Sequence, residues 1–236
     1  MGKGIFITGT DTGVGKTLIT GGLAAIFRGK GIDVGVMKPA ESGCRREDGQ
    51  LVPEDALFLK EMSGCQDDLL LINPYTLEHA ISPAQAAEIE GVDIKLEVIR
   101  KAYAALASKH ELVLVEGAGG LLSPLNSQLF MADLPAELGN IPILVVARDI
   151  LGAINHTLLT ISYARGEGIN VLGIVANRTS PTRELANVYN EEALERWASV
   201  PFLGTVPFLL RPDPQIIRKA IEANINIEPL LAWLRR

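Results

Sequence analysis

The chain has 236 residues and a formal net charge of -6, with 47% hydrophobic and 21% charged residues. These values are ordinary for a folded protein, so we predict one domain over residues 1–236. The acidic balance disfavours a nucleic-acid partner, and no apolar run reaches the roughly 20 residues that cross a bilayer. Cys44 and Cys65 are too few for a disulfide framework, and the first residues are too short for a secretory leader. We therefore expect a cytoplasmic protein without a membrane partner.

Apolar, β-branched segments alternate with amphipathic segments along most of the chain. The apolar segments predict buried parallel strands at residues 5–8, 34–37, 112–115, 141–147 and 171–176. The amphipathic segments predict crossover helices at residues 18–27, 94–108, 154–165 and 184–197. This alternation favours an α/β fold with a doubly wound, mostly parallel sheet covered by helices on both faces. Two irregular connections, residues 39–53 and 117–128, leave carboxyl ends of strands, where such sheets bind ligands.

A glycine-rich segment, residues 9–17, follows the first predicted strand and leads into a predicted helix. Backbone N–H groups in such a bend, together with the helix N-terminus, bind phosphate oxygens. Lys16 is expected to reach the β and γ phosphates, and the Thr17 hydroxyl to ligate Mg²⁺. The usual motif has glycine six residues before the lysine, but here Thr10 occupies that position and the glycine is Gly9. A turn without a ligand is the alternative, and the Gly-Lys-Thr at the helix start favours a P-loop.

Charged side chains follow two other predicted strands at the same edge of the sheet. Lys38 ends the strand at 34–37, where a second cation near the γ phosphate would stabilise phosphoryl transfer; a solvated surface lysine is the alternative. Asp55 lies at a predicted helix start, so it is either a helix cap or a metal ligand. Glu116 is expected at the carboxyl end of the strand at 112–115. Thr17, Asp55 and Glu116 would together offer Mg²⁺ the oxygen ligands it prefers.

Two further segments have the composition of binding sites. Asn177 closes the strand at 171–176 and can offer a donor and an acceptor to a purine edge, although an asparagine that only closes a turn is equally consistent. Residues 151–155 begin a predicted helix whose free N–H groups can hold a carboxylate. The sequence has no G-x-S-x-G elbow or Cys/His pair that would indicate a hydrolase triad.

Several short motifs follow one another in a fixed order from the first strand to about Leu209. They are Thr8 to Thr12 with Gly15-Lys16-Thr17, Lys38-Pro39 with Ser42-Gly43, Asp55-Ala56-Leu57, Asn73-Pro74-Tyr75, Glu116 to Gly120, Ile154-Asn155-His156 and Val175-Ala176-Asn177. Together they resemble the dethiobiotin synthetase family, whose pattern includes the displaced glycine. Residues 211–236 contribute little to the resemblance.

The resemblance implies a P-loop NTPase fold and an ATP-dependent ring closure in biotin biosynthesis. In that reaction, 7,8-diaminopelargonic acid and CO₂ give dethiobiotin, ADP and phosphate, through a carbamate and a carbamic-phosphoric anhydride. Every step builds negative charge on oxygen near the γ phosphate, which suits two lysines and Mg²⁺. The resemblance also implies a homodimer that holds the substrate carboxylate across its interface.

The resemblance assigns a role to individual residues. Lys38 would be the catalytic lysine, and Thr17, Asp55 and Glu116 would hold Mg²⁺. The implied nucleotide contacts are Gly13, Val14, Gly15, Lys16, Thr17, Leu18, Asp55, Glu116, Gly117, Ala118, Gly119, Asn177, Arg178, Pro207, Phe208 and Leu209. The implied substrate contacts are Thr12, Ser42, Leu151, Gly152, Asn155 and Tyr189.

Two residues depart from the family pattern, and two other functions stay open. Gly13 stands where some members have glutamate, and Arg178 where aspartate often follows the asparagine, so nucleotide selectivity is open. An amidoligase acting on a corrinoid precursor would ordinarily need a glutamine-handling domain, for which this chain has no room. A partition or positioning-type P-loop ATPase switch, acting on DNA or membrane, usually has an early lysine in the loop where this chain has Asp11.

Overall fold

A computed structural model describes residues 2–236. Strands and helices largely alternate along these residues. The strands are β1 (Lys3–Gly9), β2 (Val34–Met37), β3 (Ala40–Glu41), β4 (Arg45–Glu47), β5 (Gln50–Val52), β6 (Tyr75–Thr76), β7 (Leu112–Gly120), β8 (Ile143–Arg148), β9 (Val171–Asn177) and β10 (Phe202–Val206). The helices are α1 (Lys16–Gly29), α2 (Glu54–Ser63), α3 (Leu69–Ile72), α4 (Pro83–Glu90), α5 (Leu96–Lys109), α6 (Leu134–Glu137), α7 (Ala153–Gly166), α8 (Ala186–Trp197), α9 (Pro214–Asn224) and α10 (Glu228–Leu234).

Six parallel strands form the central sheet in the order β10-β9-β8-β1-β7-β2. Strand β1 lies in the middle because its apolar residues are buried on both faces: Phe6 packs into one core, and Ile5 and Ile7 pack into the other. Helices α4 to α8 cover the first face, and α1, α2, α9 and α10 cover the second. The predicted doubly wound sheet is thus confirmed, and all five predicted strands belong to it.

The structure corrects the predicted strand ends and connections. Strand β7 continues to Gly120, which pairs with Gly9, so Glu116 lies inside the strand opposite Ile7 and not at its end. Residues 117–120 are therefore strand, whereas a loop was expected. The connection at 39–53 contains β3 and the β4-β5 hairpin. Strand β10 and helices α9 and α10 were not predicted. None of the helices in residues 2–236 combines the length and the apolar character needed to cross a membrane.

At the amino-terminal edge of the sheet, His110 joins three segments of the chain. Its Nδ1 lies 2.9 Å from Asp33 Oδ1, and its Nε2 lies 2.6 Å from Asp67 Oδ2. Lys109 Nζ donates to the other Asp67 oxygen at 2.8 Å. Burial lowers the pKa of His110, but the two carboxylates outweigh burial and raise it. Burial likewise opposes the hydrogen bonds from Lys109 and His110, which hold the pKa of Asp67 below its ordinary value.

These opposite pKa shifts define a pH window for stability. The raised pKa of His110 contributes stability below its ordinary value of 6.5, and this stability is lost as pH rises through the folded-state pKa. The lowered pKa of Asp67 contributes stability above its ordinary value of 3.8, and this stability is lost as pH falls through the folded-state pKa. We expect His110→Gln to lower the free energy of unfolding by about 2 kcal/mol near pH 6 and by less near pH 9. Urea unfolding at pH 6 and pH 9 measures the two free-energy losses. The control is His156→Gln, which lies at an exposed helix position. An equal loss for His110→Gln at both pH values would contradict the prediction.

Candidate active site

The predicted P-loop connects β1 to α1 at the carboxyl edge of the sheet. Its chain bends sharply after Gly9, where a Cβ atom would lie 2.7 Å from Asp11 O and 3.2 Å from Lys16 Nζ. Only glycine fits at this approach, because any larger residue would push the loop and the lysine apart. The displaced glycine of the motif thus has a structural reason: it allows the Lys16 side chain to fold back over the loop.

Lys16 extends along the inside of this loop. Its Nζ donates to Asp11 O at 3.3 Å, and the residue is buried. Burial lowers the pKa of Lys16 to about 8, with the charge of Lys38 acting in the same direction and that of Glu116 opposing it. A bound phosphate would supply the negative charge that favours the protonated ammonium. The loop therefore has the electrostatics of an anion site.

Lys38, Asp55, Glu116 and Thr17 form one cluster beside the loop. Lys38 Nζ donates to Asp55 Oδ2 at 2.7 Å and to Glu116 Oε1 at 2.5 Å. The Thr17 hydroxyl donates to the same Glu116 oxygen at 2.9 Å. Burial alone would lower the pKa of Lys38, but the charges of Glu116 and Asp55 outweigh it and hold this pKa above its ordinary value. The predicted cation and the predicted acids are therefore in direct contact.

The cluster has the chemistry of a Mg²⁺ site. Glu116 is 0% exposed, and its second oxygen, Oε2, has no hydrogen-bond partner. A buried carboxylate oxygen without a partner is unfavourable, and a cation would satisfy it. No cluster of three or more His, Cys, Asp or Glu residues with metal-binding geometry occurs in residues 2–236. Magnesium in nucleotide sites needs only one or two carboxylates, because phosphate and water complete its shell. Thr17, Asp55 and Glu116 fit that donor set.

A cavity of about 300 Å³ connects the P-loop to this cluster. It is lined by Thr12, Gly13, Gly15, Lys16, Thr17, Lys38, Glu41, Ser42, Asp55, Glu116, Ala118 and Gly119. A neighbouring cavity of about 290 Å³ shares Thr12, Ser42, Ala118 and Gly119 and adds Ala80, Ile81, Ser82, Pro83 and Ser123. The structure thus brings the three predicted metal ligands, most of the predicted phosphate-binding residues and two of the six predicted substrate residues, Thr12 and Ser42, to one place. A larger cavity of about 670 Å³ lies beside His110 at the opposite edge of the sheet, away from the P-loop.

The sequence patterns did not indicate four residues of this region. Ser82 and Ser123 line the neighbouring cavity, and Ser82 precedes Pro83 at the start of α4, a helix-start signal that the sequence contained. Buried Glu41 lines the first cavity, and burial raises its pKa to about 7, with the charge of Asp55 adding to the rise. Arg148 ends β8, and its Nη2 donates to Thr12 O at 2.9 Å. Sequence alone gave no signal for Glu41 or Arg148.

The residues predicted to bind the adenine form a separate group that contacts the P-loop at Val14. The Asn177 amide donates to Val14 O at 2.8 Å, so this side chain also supports the P-loop. Arg178 Nε donates to the buried Asp149 at 2.9 Å, and Asn190 donates to the other oxygen of the same carboxylate at 2.8 Å. The Arg178 backbone N–H donates to Val206 O at 3.0 Å, which places residues 207–209 beside Asn177 and Arg178.

The remaining predicted substrate residues do not line either active-site cavity. Leu151, Gly152 and Asn155 lie at the start of α7, and Leu151 is 82% exposed. Tyr189 lies on α8 and is 57% exposed. Within this chain the structure therefore leaves these four residues on the outer surface, apart from Lys38 and the P-loop.

We expect Gly13→Ala to weaken nucleotide binding about 5-fold, because the position combines strain and crowding. Gly13 has a φ of +70°, and a Cβ there would lie 3.1 Å from Arg148 Nη2. The control is Gly31→Ala, since Gly31 has a φ of +84° with no atom within 4 Å of its Cβ position. Both changes should lower stability by about 1 kcal/mol, and only Gly13→Ala should alter ATP affinity measured by calorimetry. Equal affinities for the two variants would contradict this account.

The sheet order, the P-loop and the lysine–carboxylate cluster define a nucleotide-binding protein of the P-loop class. Residues 3–215 match a family model described as an AAA domain. Among solved structures, the septum site-determining protein MinD of Pyrococcus horikoshii, complexed with Mg-ADP, has a TM-score of 0.56 at 18% identity, covering 97% of this chain and 89% of MinD. At that identity the likeness concerns the fold alone.

Sequence relatives define the family within that class. The chain is 39% identical over 240 residues to the ATP-dependent dethiobiotin synthetase BioD of Thermodesulfovibrio yellowstonii, covering 98% of this chain and 100% of the relative. It is 43% identical over 218 residues to the enzyme of the same name from Anaeromyxobacter dehalogenans, covering 92% and 94%. The chain belongs to the ATP-dependent dethiobiotin synthetase family.

Proposed function

We propose that this protein is a ligase that closes the ureido ring of dethiobiotin from 7,8-diaminopelargonic acid, CO₂ and ATP. The proposal rests on the cavity that Lys16, Lys38, Thr12 and Ser42 line together. It is supported by relatives that match this chain over their full length and are named ATP-dependent dethiobiotin synthetase. The partition-type switch is less supported, because its likeness rests on structures such as MinD at 18% identity. We further propose one domain, a cytoplasmic location and Mg²⁺ as the metal.

The reaction begins and ends at the substrate nitrogens. One amine nitrogen forms a bond to the carbon of CO₂ and releases a proton, giving a carbamate. A carbamate oxygen then bonds to the γ phosphorus as the bond to the β-bridging oxygen breaks, and ADP leaves. The second amine attacks the carbamate carbon and loses a proton, while phosphate departs with its electron pair. No enzyme nucleophile is required, so the protein contributes binding, orientation and electrostatic stabilisation.

The phosphates are held by the P-loop and the adjacent cluster. The N–H groups of residues 13–18 and the ammonium of Lys16 bind the β and γ phosphates. Thr17, Asp55 and Glu116 would hold Mg²⁺, which would neutralise charge on the phosphate oxygens when bound. Lys38 is the catalytic lysine, and it stabilises charge on the transferring phosphoryl group and the carbamate.

Separate groups of residues would contact the diamine and the adenine. Thr12 and Ser42 orient the diamine or its carbamate, since both line the two adjoining cavities. Gly117, Ala118 and Gly119 lie along the nucleotide. Asn177, Arg178 and residues 207–209 surround the adenine. The Arg178 guanidinium is paired with Asp149 and its backbone N–H donates to Val206 O, so we assign adenine contacts at this position to the backbone carbonyl oxygen.

The substrate carboxylate is held across a homodimer interface in this proposal. Leu151, Gly152 and Asn155 of one protomer, with Tyr189, would face the substrate of its partner. Leu151, just before α7, and Leu159, on α7, are both exposed, which supports an apolar contact with the partner protomer at this surface. A cavity of about 290 Å³ between residues 10–12 and Leu159 adjoins this surface.

Phosphate release from ATP tests the proposed function directly. The purified protein should release phosphate only when the diamine and bicarbonate are both present, because the carbamate is the phosphoryl acceptor. Omitting either one should reduce release to background. Release that ignores the diamine and increases with DNA or lipid vesicles would instead support the partition-type switch.

A further inference from the structure

Glu41 is a buried acid for which the phosphoryl-transfer chemistry above gives no role. It ends the short strand β3 and is 5% exposed. It precedes Ser42 in the chain and lines the same cavity as Lys38 and Asp55. A carboxylate that is buried this deeply requires hydrogen-bond partners.

Both oxygens of Glu41 accept hydrogen bonds from the start of helix α2. Oε1 accepts from the Asp55 backbone N–H at 2.9 Å, and Oε2 accepts from the Ala56 N–H at 3.0 Å. These two donors belong to the first turn, where backbone N–H groups have no partner inside the helix. The N-cap residue of α2 is Pro53, which makes no side-chain cap hydrogen bond. Glu41 therefore caps α2 from another element, with its carboxyl oxygens at the N-terminus of the helix.

The backbone of Glu41 is itself held in place. Strand β3 pairs with β6, and the Leu77 N–H donates to Glu41 O at 2.8 Å. The bidentate contact thus connects a fixed strand to the first turn of α2. Asp55 is both a donor in this contact and the residue whose side chain reaches Lys38. A shift of the first turn of α2 would move the Asp55 carboxylate relative to Glu116.

We propose that Glu41 is a positioning residue that fixes the backbone of Asp55 and so orients its carboxylate toward the metal site. The inference rests on the proposed function, in which Asp55 holds Mg²⁺. Partners that orient metal ligands typically alter metal affinity or activity about 10- to 100-fold when they are removed. A general structural cap would instead change stability and leave the metal requirement unaltered.

Glu41→Gln tests the inference, because glutamine keeps the size of the side chain but can accept only one of the two N–H bonds. We expect the Mg²⁺ concentration for half-maximal phosphate release to rise about 10-fold, with turnover largely recovered at saturating Mg²⁺. The control is Ser63→Ala, which removes a buried hydroxyl bonded to Lys60 O at the other end of α2. This control should lower stability without changing the Mg²⁺ midpoint.

Amide exchange gives a second readout that does not depend on activity. In the unmodified protein the N–H groups of Asp55 and Ala56 should exchange slowly, and in Glu41→Gln at least one should exchange faster, while amides in the last turn of α2 are unchanged. An unchanged Mg²⁺ midpoint, or fast exchange at both amides of the unmodified protein, would overturn the proposal. If the unmodified protein released no diamine-dependent phosphate, the proposed function would fail instead, and the amide measurement would still stand for Glu41.

Discussion

Replacing Lys38 by alanine is expected to slow turnover about 1000-fold while ATP affinity changes little. The Lys38 ammonium lies between Asp55 and Glu116 and not inside the P-loop, so it is placed to act on charge that develops during transfer. Removing it also takes a positive charge away from two acids, which favours cation binding there. The loss should therefore appear in kcat and not in the dissociation constant of Mg-ATP, measured by calorimetry.

Two controls separate this prediction from a loss of folding. Lys30→Ala removes an exposed lysine just after α1 and should leave turnover unchanged. Thermal unfolding of Lys38→Ala should show a folded protein at the assay temperature. If ATP affinity fell and kcat at saturating ATP were unchanged, Lys38 would bind the ground state and the transition state equally, and the prediction would be contradicted.

Glu116→Gln is expected to reduce turnover about 100-fold or more and to raise the Mg²⁺ concentration needed for activity. Glutamine preserves the size of a fully buried side chain and can still accept from Thr17 or Lys38. It removes the negative charge, however, and with it the unpartnered carboxylate oxygen that fits a cation. Mg²⁺ titration of phosphate release measures the effect.

The matched control lies at the other end of the same strand. Glu111 precedes β7, and its carboxylate accepts from the Asp33 N–H at 2.9 Å. Glu111→Gln should leave the Mg²⁺ midpoint unaltered. A midpoint that shifts equally in both variants, or in neither, would contradict the placement of the metal at Glu116.

The sequence was most informative where one local pattern decides the structure. Continuous apolar runs such as 112–115 correctly predicted central strands, because parallel strands are buried on both faces. Strand β10 was missed because Gly204 and Thr205 interrupt a half-buried edge segment. Residues 117–120 were predicted as a loop because glycines usually mark turns, yet the pairing of Gly9 with Gly120 keeps them in the sheet.

In the candidate site, too, the sequence indicated residues in contiguous motifs but not residues brought together from distant parts of the chain. The P-loop and the acid Glu116 are contained in contiguous motifs, so the sequence was sufficient to select them. Glu41 binds α2 across 14 residues, and Arg148 reaches Thr12 across 136 residues. Such contacts depend on how strands and helices come together, which no spacing rule specifies. The roles proposed for Leu151 and Tyr189 depend further on a second protomer.

Labelled bicarbonate tests whether this protein closes the ureido ring of dethiobiotin. The protein is incubated with ATP, Mg²⁺, 7,8-diaminopelargonic acid and ¹³C-bicarbonate, and the products are analysed by mass spectrometry with parallel measurement of phosphate. We expect dethiobiotin with the label in its ureido carbon, formed in equal amount to the phosphate released. Phosphate release without labelled dethiobiotin would contradict it.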